Sequence, residues 1–183
     1  MDHPTASTLE SGLDDVRAAP GDDGRVALVV RRPAVGEREV VTEAELDPAS
    51  GLVGDTWEDR PSRSRPDGSP HPDMQLTLMS VRVARLVAGD PDRVPLAGDQ
   101  LYVDLDLSEA NLPAGSRLQI GSAVVEVTAE PHRGCQKFTQ RFGLAALRFV
   151  NSEAGGALRL RGANAKVVRG GTVRTGDPIR KVA

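Results

Sequence analysis

The chain has 183 residues, of which 39% are hydrophobic and 27% are charged. These values are typical of soluble globular proteins, and the length suits one domain with a buried core. The formal net charge is −3, so the chain lacks the broad positive field on which non-specific binding to nucleic-acid phosphates depends. We therefore expect one folded domain and no nucleic-acid partner.

The beginning of the sequence does not have the pattern of an export signal. Residues 1–19 are polar and acidic, whereas a secretion signal starts with basic residues and continues with an apolar run. A membrane-spanning helix needs about 18 consecutive apolar residues, and the sequence has no such stretch. These features predict a cytoplasmic protein without a membrane partner.

The N-terminal residues favour a helix. Ser7 is the expected cap of a helix over residues 7–19, and Glu10, three positions later, completes a capping box. We therefore interpret residues 1–23 as an N-terminal helical extension and residues 24–183 as the main domain.

A hairpin and a long polar loop are predicted next. Residues 25–32 and 39–42 are rich in Val and other β-forming residues, and they flank a turn at residues 33–36. Residues 60–72 consist mainly of Pro, Ser, Arg, Asp and Gly, which is the composition of a surface loop. This loop is expected to be either a lid or a disordered insertion.

Short strands dominate the rest of the chain. Their pattern predicts strands at residues 75–79, 101–105, 117–120, 123–129, 165–168 and 178–182, and helices at residues 81–88 and 143–150. Gly-Asp pairs at residues 54–55, 98–99 and 176–177 are interpreted as turns. Many short strands with few helices predict a mainly β fold, a closed or nearly closed barrel with peripheral helices.

The single cysteine, Cys135, lies between a predicted strand and a predicted helix. One cysteine cannot form an internal disulfide or supply the several thiolates of a structural metal site. Its neighbours in sequence include His132, Arg133, Lys137 and Arg141, and positive charge favours the thiolate, the form that attacks or binds a metal. The alternative is that Cys135 is an inert, buried hydrophobic residue.

A second basic cluster precedes the last strands. It contains Arg159, Arg161, Asn164 and Lys166, and two interpretations are open. The arginines can bind a phosphate group, or the cluster can be an ordinary solvated charged face. Among the histidines, His132 is a candidate acid, base or ligand, whereas the other nearby candidate, His71, falls in the polar loop and is more simply incidental.

Read together, several segments resemble the MOSC family, named after the C-terminal domain of molybdenum cofactor sulfurases. The match runs in order from Gly24 to Val182. The similar segments are residues 51–55, 75–79, 97–101, 110–112, 118–121, 124–128, the cysteine segment 131–138, residues 160–165, and the glycines at 170 and 176.

The resemblance implies a mostly β barrel that binds the molybdenum cofactor, molybdopterin, through its pterin and phosphate. Cys135 would then carry sulfur as a persulfide or ligate molybdenum. The residues expected to face the cofactor are Arg133, Lys137, Arg141, Arg161, Asn164 and His132. Two departures stand out: many members have Pro before the cysteine where this chain has Gly134, and the family's Gly-Glu-Asn-Leu element is Glu-Ala-Asn-Leu at residues 109–112.

Three functions remain open from the resemblance. The first is sulfur transfer through a Cys135 persulfide, which requires a partner cysteine desulfurase because no pyridoxal-phosphate site is expected in this chain. The second is a molybdenum-dependent reductase of N-hydroxylated compounds that receives electrons from another protein. The third is a binding module without catalysis. The sequence therefore predicts the site and leaves the reaction undecided.

Overall fold

A computed structural model describes residues 3–62 and 65–183, and in them a closed seven-stranded β-barrel is surrounded by a few helices, as predicted. The strands are β1 (Gly24–Arg31), β2 (Glu39–Val41), β3 (Glu43–Asp47), β4 (Gly51–Leu52), β5 (Leu76–Ser80), β6 (Leu101–Asp104), β7 (Arg117–Ile120), β8 (Ala123–Val127), β9 (Ala163–Arg169), β10 (Gly171–Arg174) and β11 (Pro178–Val182). The helices are α1 (Ala6–Ser11), α2 (Leu13–Arg17), α3 (Val81–Ala88), α4 (Gln136–Val150) and α5 (Glu153–Ala157), with 3-10 turns at Pro72–Met74 and Pro91–Ala97.

The barrel closes because β1 pairs with β6 and also with β11, the last strand of the chain. The order around the barrel is β11, β7, β8, β9, β5, β6 and β1, and Gly24 of β1 lies opposite Ile179 of β11. Only β5 and β6 are parallel, and α3 connects them. Strand β2 extends the sheet beyond β1, while β10, β3 and β4 form a separate three-stranded sheet.

Alternation along the strands divides the buried side chains into two cores. On β6, Leu101 and Val103 point into the barrel, and Tyr102 points outward to the helices. The inner core consists mainly of Val and Leu from the barrel strands. The outer core packs α3 and α4 against the barrel and includes Leu9 of α1, which is fully buried. None of the described helices is long and apolar enough to cross a membrane.

Several predicted elements are confirmed. Strands β1 and β2 form the predicted hairpin, and β7 and β8 form another around Gly121, whose φ of 57° suits a tight turn. Helix α3 has the predicted bounds and ends at Gly89, which adopts the left-handed conformation typical of helix ends. Ser80 precedes α3, but its side chain makes no capping hydrogen bond.

The N-terminal helix differs from its prediction. The capping residue is Thr5, whose hydroxyl accepts a hydrogen bond from the backbone N–H of Thr8 at 3.2 Å, and not Ser7. The helix also breaks at Gly12 into α1 and α2. A β-carbon at Gly12 would lie 2.6 Å from the terminal methyl groups of Leu86, so a larger residue here would displace that side chain of α3.

Three short strands, β3, β4 and β10, and the first part of α4 were not predicted from the sequence. Strands β4 and β10 pair with β3 to form the small sheet, and turns lie beside them at Gly54 and Gly176, as predicted. These strands contain two to five residues, too few for a clear alternation. Helix α4 begins at Gln136, and Gly143 is a non-helical kink with φ 84° and ψ 169° after which the predicted helix follows.

Candidate functional site

An open cleft of about 790 Å³ lies beside the barrel and brings together most of the predicted site residues. Those that line it are Cys135, His132, Lys137, Arg141, Arg161 and Asn164. The walls come from the β1–β2 connection, the segment after β4, the start of α4 and the chain around the start of β9. Residues from the two basic clusters, which are separate in sequence, therefore line one cleft, although not every member of either cluster does.

Cys135 lies at the N-terminal end of α4. Its backbone is extended, its carbonyl oxygen accepts the N–H of Thr139 at 3.0 Å, and its thiol makes no capping hydrogen bond. The residue is exposed, which rules out the inert buried alternative. The thiol is accessible both to a ligand in the cleft and to a partner from solvent.

A buried ion pair supports one side of the cleft. Nη1 of Arg161 lies 2.7 and 2.9 Å from the two carboxylate oxygens of Asp99, and Nη2 donates to the carbonyl of Ala97 at 3.0 Å. The Arg161 guanidinium lies over the ring of Phe138, 5.1 Å from its centroid. The Arg161 side chain is only 8% exposed, so it belongs neither to a solvated charged face nor to an exposed anion site.

A second buried pair holds the β1–β2 connection against the same region. Nε and Nη2 of Arg32 donate to the two carboxylate oxygens of Asp55, both at 2.6 Å. Nη1 of Arg32 also donates to the carbonyl of Gly98 at 3.0 Å. Asp55 and Asp99 belong to the Gly-Asp pairs that were interpreted as turns. Each is in fact a fully buried carboxylate whose charge is balanced by an arginine.

Four further cations line the cleft without an acidic partner within 4 Å among the described residues. They are Arg38, Arg60, Lys137 and Arg141. Burial, together with the positive charges of Arg141 and Arg32, lowers the pKa of Arg38. Burial and the charge of Arg32 likewise lower the pKa of Arg60. The cleft is thus locally positive although the whole chain is negative, and it favours an anionic ligand.

Several buried polar atoms at the cleft have no hydrogen-bond partner among the described residues. They are Nε of Arg38, Nε of Arg161, Nδ1 of His132 and Oδ1 of Asn164. Buried polar groups are rarely left unpaired in folded proteins, because the lost hydration is costly. Three nitrogens and one amide oxygen at the same cleft therefore suit a polar ligand.

His132 is neutral at the cleft. Burial and the positive charge of Arg161 lower its pKa to about 3 and outweigh the attraction of Asp99, whose carboxylate lies 3.5 Å from Nδ1. A neutral imidazole can accept or donate a hydrogen bond at physiological pH, whereas an imidazolium only donates.

The shifted pKa predicts a pH dependence of stability. The unfolded chain binds the His132 proton near pH 6.5 and the folded chain only near pH 3. Between these values the unfolded state holds the extra proton, so the free energy of unfolding decreases as the pH falls, by up to about 1.4 kcal/mol per pH unit. His132→Gln should flatten this dependence in urea unfolding measured from pH 7 downward. Parallel curves for the variant and the wild-type protein would contradict the buried, neutral assignment.

Three basic residues from the predicted clusters, Arg133, Arg159 and Lys166, do not line the cleft. Nη1 of Arg159 donates to the carbonyl of Leu112 at 2.6 Å. Arg133 is exposed and lines a neighbouring cavity of about 310 Å³ rather than the cleft. Lys166 lies on the surface, 3.1 Å from Asp73 and 3.3 Å from Glu126. Because Arg133 does not line the cleft, the structure does not support its predicted contact with a cofactor there.

Part of the predicted surface loop borders the cleft. Arg60, Pro61, Ser62 and His71 line it, and the described residues of the loop before the 3-10 turn at Pro72–Met74 contain no helix or strand. Residues 63 and 64 of that loop lie outside the described residues. His71, interpreted as incidental, is therefore a lining residue.

Comparisons with known proteins agree with this fold. Residues 81–180, more than half of the chain, match the family model of the MOSC domain. Among solved structures, the YuaD protein from Bacillus subtilis is similar with a TM-score of 0.64 and 19% identity, over 85% of this chain and 93% of that one. YiiM from Escherichia coli is similar with a TM-score of 0.57 and 22% identity, over 87% of this chain and 70% of that one. No curated protein gives a significant match. These likenesses show a shared fold, and the family match shows that this chain belongs to the MOSC domain family.

Proposed function

We propose that this protein binds the molybdenum cofactor in the cleft and carries sulfur on Cys135 as a persulfide. The observation that carries the proposal is an exposed thiol at the edge of a cleft with four cations that have no acidic partner within 4 Å among the described residues. MOSC domains as a family are associated with this cofactor, and a phosphate-bearing pterin is anionic and rich in hydrogen-bonding groups. We place this function in the cytoplasm.

The residues present fit such a ligand. Arg38 and Arg60 would pair with the phosphate, because arginine forms charge-assisted hydrogen bonds with phosphate oxygens. The unpaired amide oxygen of Asn164 and ring nitrogen of His132 would bond with the pterin ring. When bound, the cofactor would supply a metal held by its dithiolene sulfurs, and this metal would be the sulfur acceptor.

Sulfur loading is a balanced exchange at Cys135. The thiolate attacks the terminal sulfur of a donor persulfide, a new S–S bond forms on Cys135, and the S–S bond of the donor breaks. The donor leaves as a thiolate, and no electrons are gained or lost overall. A cysteine desulfurase is the expected donor, and Cys135 is exposed to such a partner protein.

Loss of the thiol should abolish sulfur carriage and leave the fold intact. Cys135→Ser, incubated with a cysteine desulfurase and cysteine, should release no cyanide-reactive sulfur, because an exposed thiol contributes little to packing. The wild-type protein should release stoichiometric sulfur under the same conditions. A wild-type protein that accepts no sulfur but contains stoichiometric molybdenum would overturn the carrier role and favour a reductase with Cys135 as the metal ligand.

A further inference from the structure

The peptide before Cys135 is held by a pair of hydrogen bonds from one side chain. The N–H of Gly134 donates to Oδ1 of Asn151 at 2.8 Å, and Nδ2 of Asn151 donates to the carbonyl oxygen of Gly134 at 3.0 Å. The amide of Asn151 therefore satisfies both backbone groups of Gly134. We refer to this pair of hydrogen bonds as the Gly134–Asn151 clip.

The clip joins the two ends of α4. A straight helix of 15 residues is about 22 Å long, yet the atoms that the clip joins at its two ends are about 3 Å apart. The break at Gly143, with φ 84° and ψ 169°, lets the second half of the helix turn back toward the first. The side chains of Leu147 and Val150, in that second half, lie next to Gly134.

The cysteine segment has few other anchors. Residues 131–133 border the cavity of about 310 Å³, while Cys135 borders the cleft, so the segment runs between two open spaces. The backbone groups of residues 131–133 form no hydrogen bond with another described residue. The clip therefore supplies the hydrogen bonds that hold the backbone immediately before Cys135 among the described residues.

Glycine at position 134 suits this arrangement. A β-carbon there would lie 2.8 Å from Cδ1 of Leu147 and 3.1 Å from Cγ2 of Val150. Proline at this position would also lack the N–H that Asn151 accepts. Gly134 and Asn151 therefore act as a matched pair in this chain.

We infer that Asn151 is a positioning residue that holds Cys135 toward the cationic cleft through Gly134. The inference rests on the proposed function, because it concerns the direction of the sulfur-carrying thiol. Asn151 itself contacts neither Cys135 nor the four unpaired cations by any hydrogen bond among the described residues. Its influence on the thiol is thus indirect.

The test compares alkylation of Cys135 by anionic iodoacetate and neutral iodoacetamide, with no cofactor present. In the wild-type protein the positive cleft should attract iodoacetate. The ratio of the iodoacetate rate to the iodoacetamide rate should therefore be higher for Cys135 than for free cysteine. In Asn151→Leu the ratio of the two rates should fall on the order of threefold or more, the effect of about 1 kT of potential. Both proteins should melt cooperatively, because Asn151 is exposed.

Asn111→Leu is the matched control, because the side chain of Asn111 likewise forms two hydrogen bonds with the backbone. Its Nδ2 donates to the carbonyls of Gly21 and Asp106, away from the cysteine. Its ratio should equal that of the wild-type protein. An unchanged ratio in folded Asn151→Leu would overturn the positioning role alone. A wild-type protein without preference for iodoacetate would overturn it together with the cationic site. Fast hydrogen exchange of the Gly134 N–H in the wild-type protein would also overturn the clip, without any variant.

Discussion

Arg161→Ala is expected to destabilise the fold by about 3–5 kcal/mol, the cost of leaving a buried charge without its partner. The Asp99 side chain is fully buried, and its other ionisable neighbour within 4 Å among the described residues, His132, is neutral. Without Arg161 the carboxylate must stay charged in a poorly hydrated site or bind a proton. Urea unfolding at pH 7 measures the difference in the free energy of unfolding.

The matched control is Arg180→Ala, because the side chains of Arg180 and Asp23 form a 2.8 Å ion pair that is 69% and 75% exposed. Exposed pairs contribute little to stability, so this variant should unfold like the wild-type protein. Replacing both Arg161 and Asp99 with Leu should recover part of the lost stability, because no charge then stays buried alone. If Arg161→Ala is as stable as Arg180→Ala, the buried pair does not stabilise the fold.

Arg38→Gln is expected to weaken the binding of a phosphate-bearing pterin by about 10- to 100-fold. This corresponds to the loss of one charge-assisted hydrogen bond, about 1.5–3 kcal/mol. Arg38 is half-buried, has no acidic partner among the described residues and keeps Nε unpaired. Its replacement should therefore change the free energy of unfolding little and lower the affinity for the ligand. Isothermal titration of each protein with the pterin measures the affinity.

Arg133→Gln is the comparison for this measurement. Arg133 adjoins the cysteine in sequence and was expected to face the cofactor, but it does not line the cleft. Its replacement should leave the affinity within about twofold of the wild-type value, since exposed charges outside the contact act weakly. Equal losses in Arg133→Gln and Arg38→Gln would indicate a diffuse electrostatic effect and no specific phosphate site at Arg38.

Strand alternation and frequent turns were sufficient to predict the barrel, and the position of one cysteine led to the cleft that is the candidate site. Leu101, Tyr102 and Val103 show why: their order places two side chains inside and one outside, whatever the rest of the fold. Cys135 was recognisable because a lone thiol among cations differs from an ordinary core residue. Local chemistry of this kind is visible without knowing the neighbours in space.

The cations that complete the site could not be recognised in the same way. Arg38 and Arg60 come from connections without periodic pattern, and only the folded chain brings them to the same cleft as Cys135. Asp55 and Asp99 follow glycines next to strands, which is also the pattern of a turn. A general rule could have suggested the pairing: an aspartate that becomes buried needs a cationic partner, here Arg32 for Asp55 and Arg161 for Asp99.

The helix around Gly143 was predicted only in part. Glycine before an apolar run was interpreted as the start of a helix, and a helical stretch does follow Gly143, but the earlier stretch from Gln136 was not predicted. A β-carbon at Gly143 would lie 2.9 Å from the ring of His3. Such contacts between distant residues leave no local pattern.

Cofactor binding is tested most directly by the pterin content of this protein after purification from a host that makes the molybdenum cofactor. We expect stoichiometric pterin in the wild-type protein and in Cys135→Ser, since the cations and unpaired polar atoms that would bind the ligand are separate from the thiol. Arg38→Gln should retain much less. A wild-type protein that is folded and free of pterin, from a host shown to make the cofactor, would contradict the proposal that this cleft binds it.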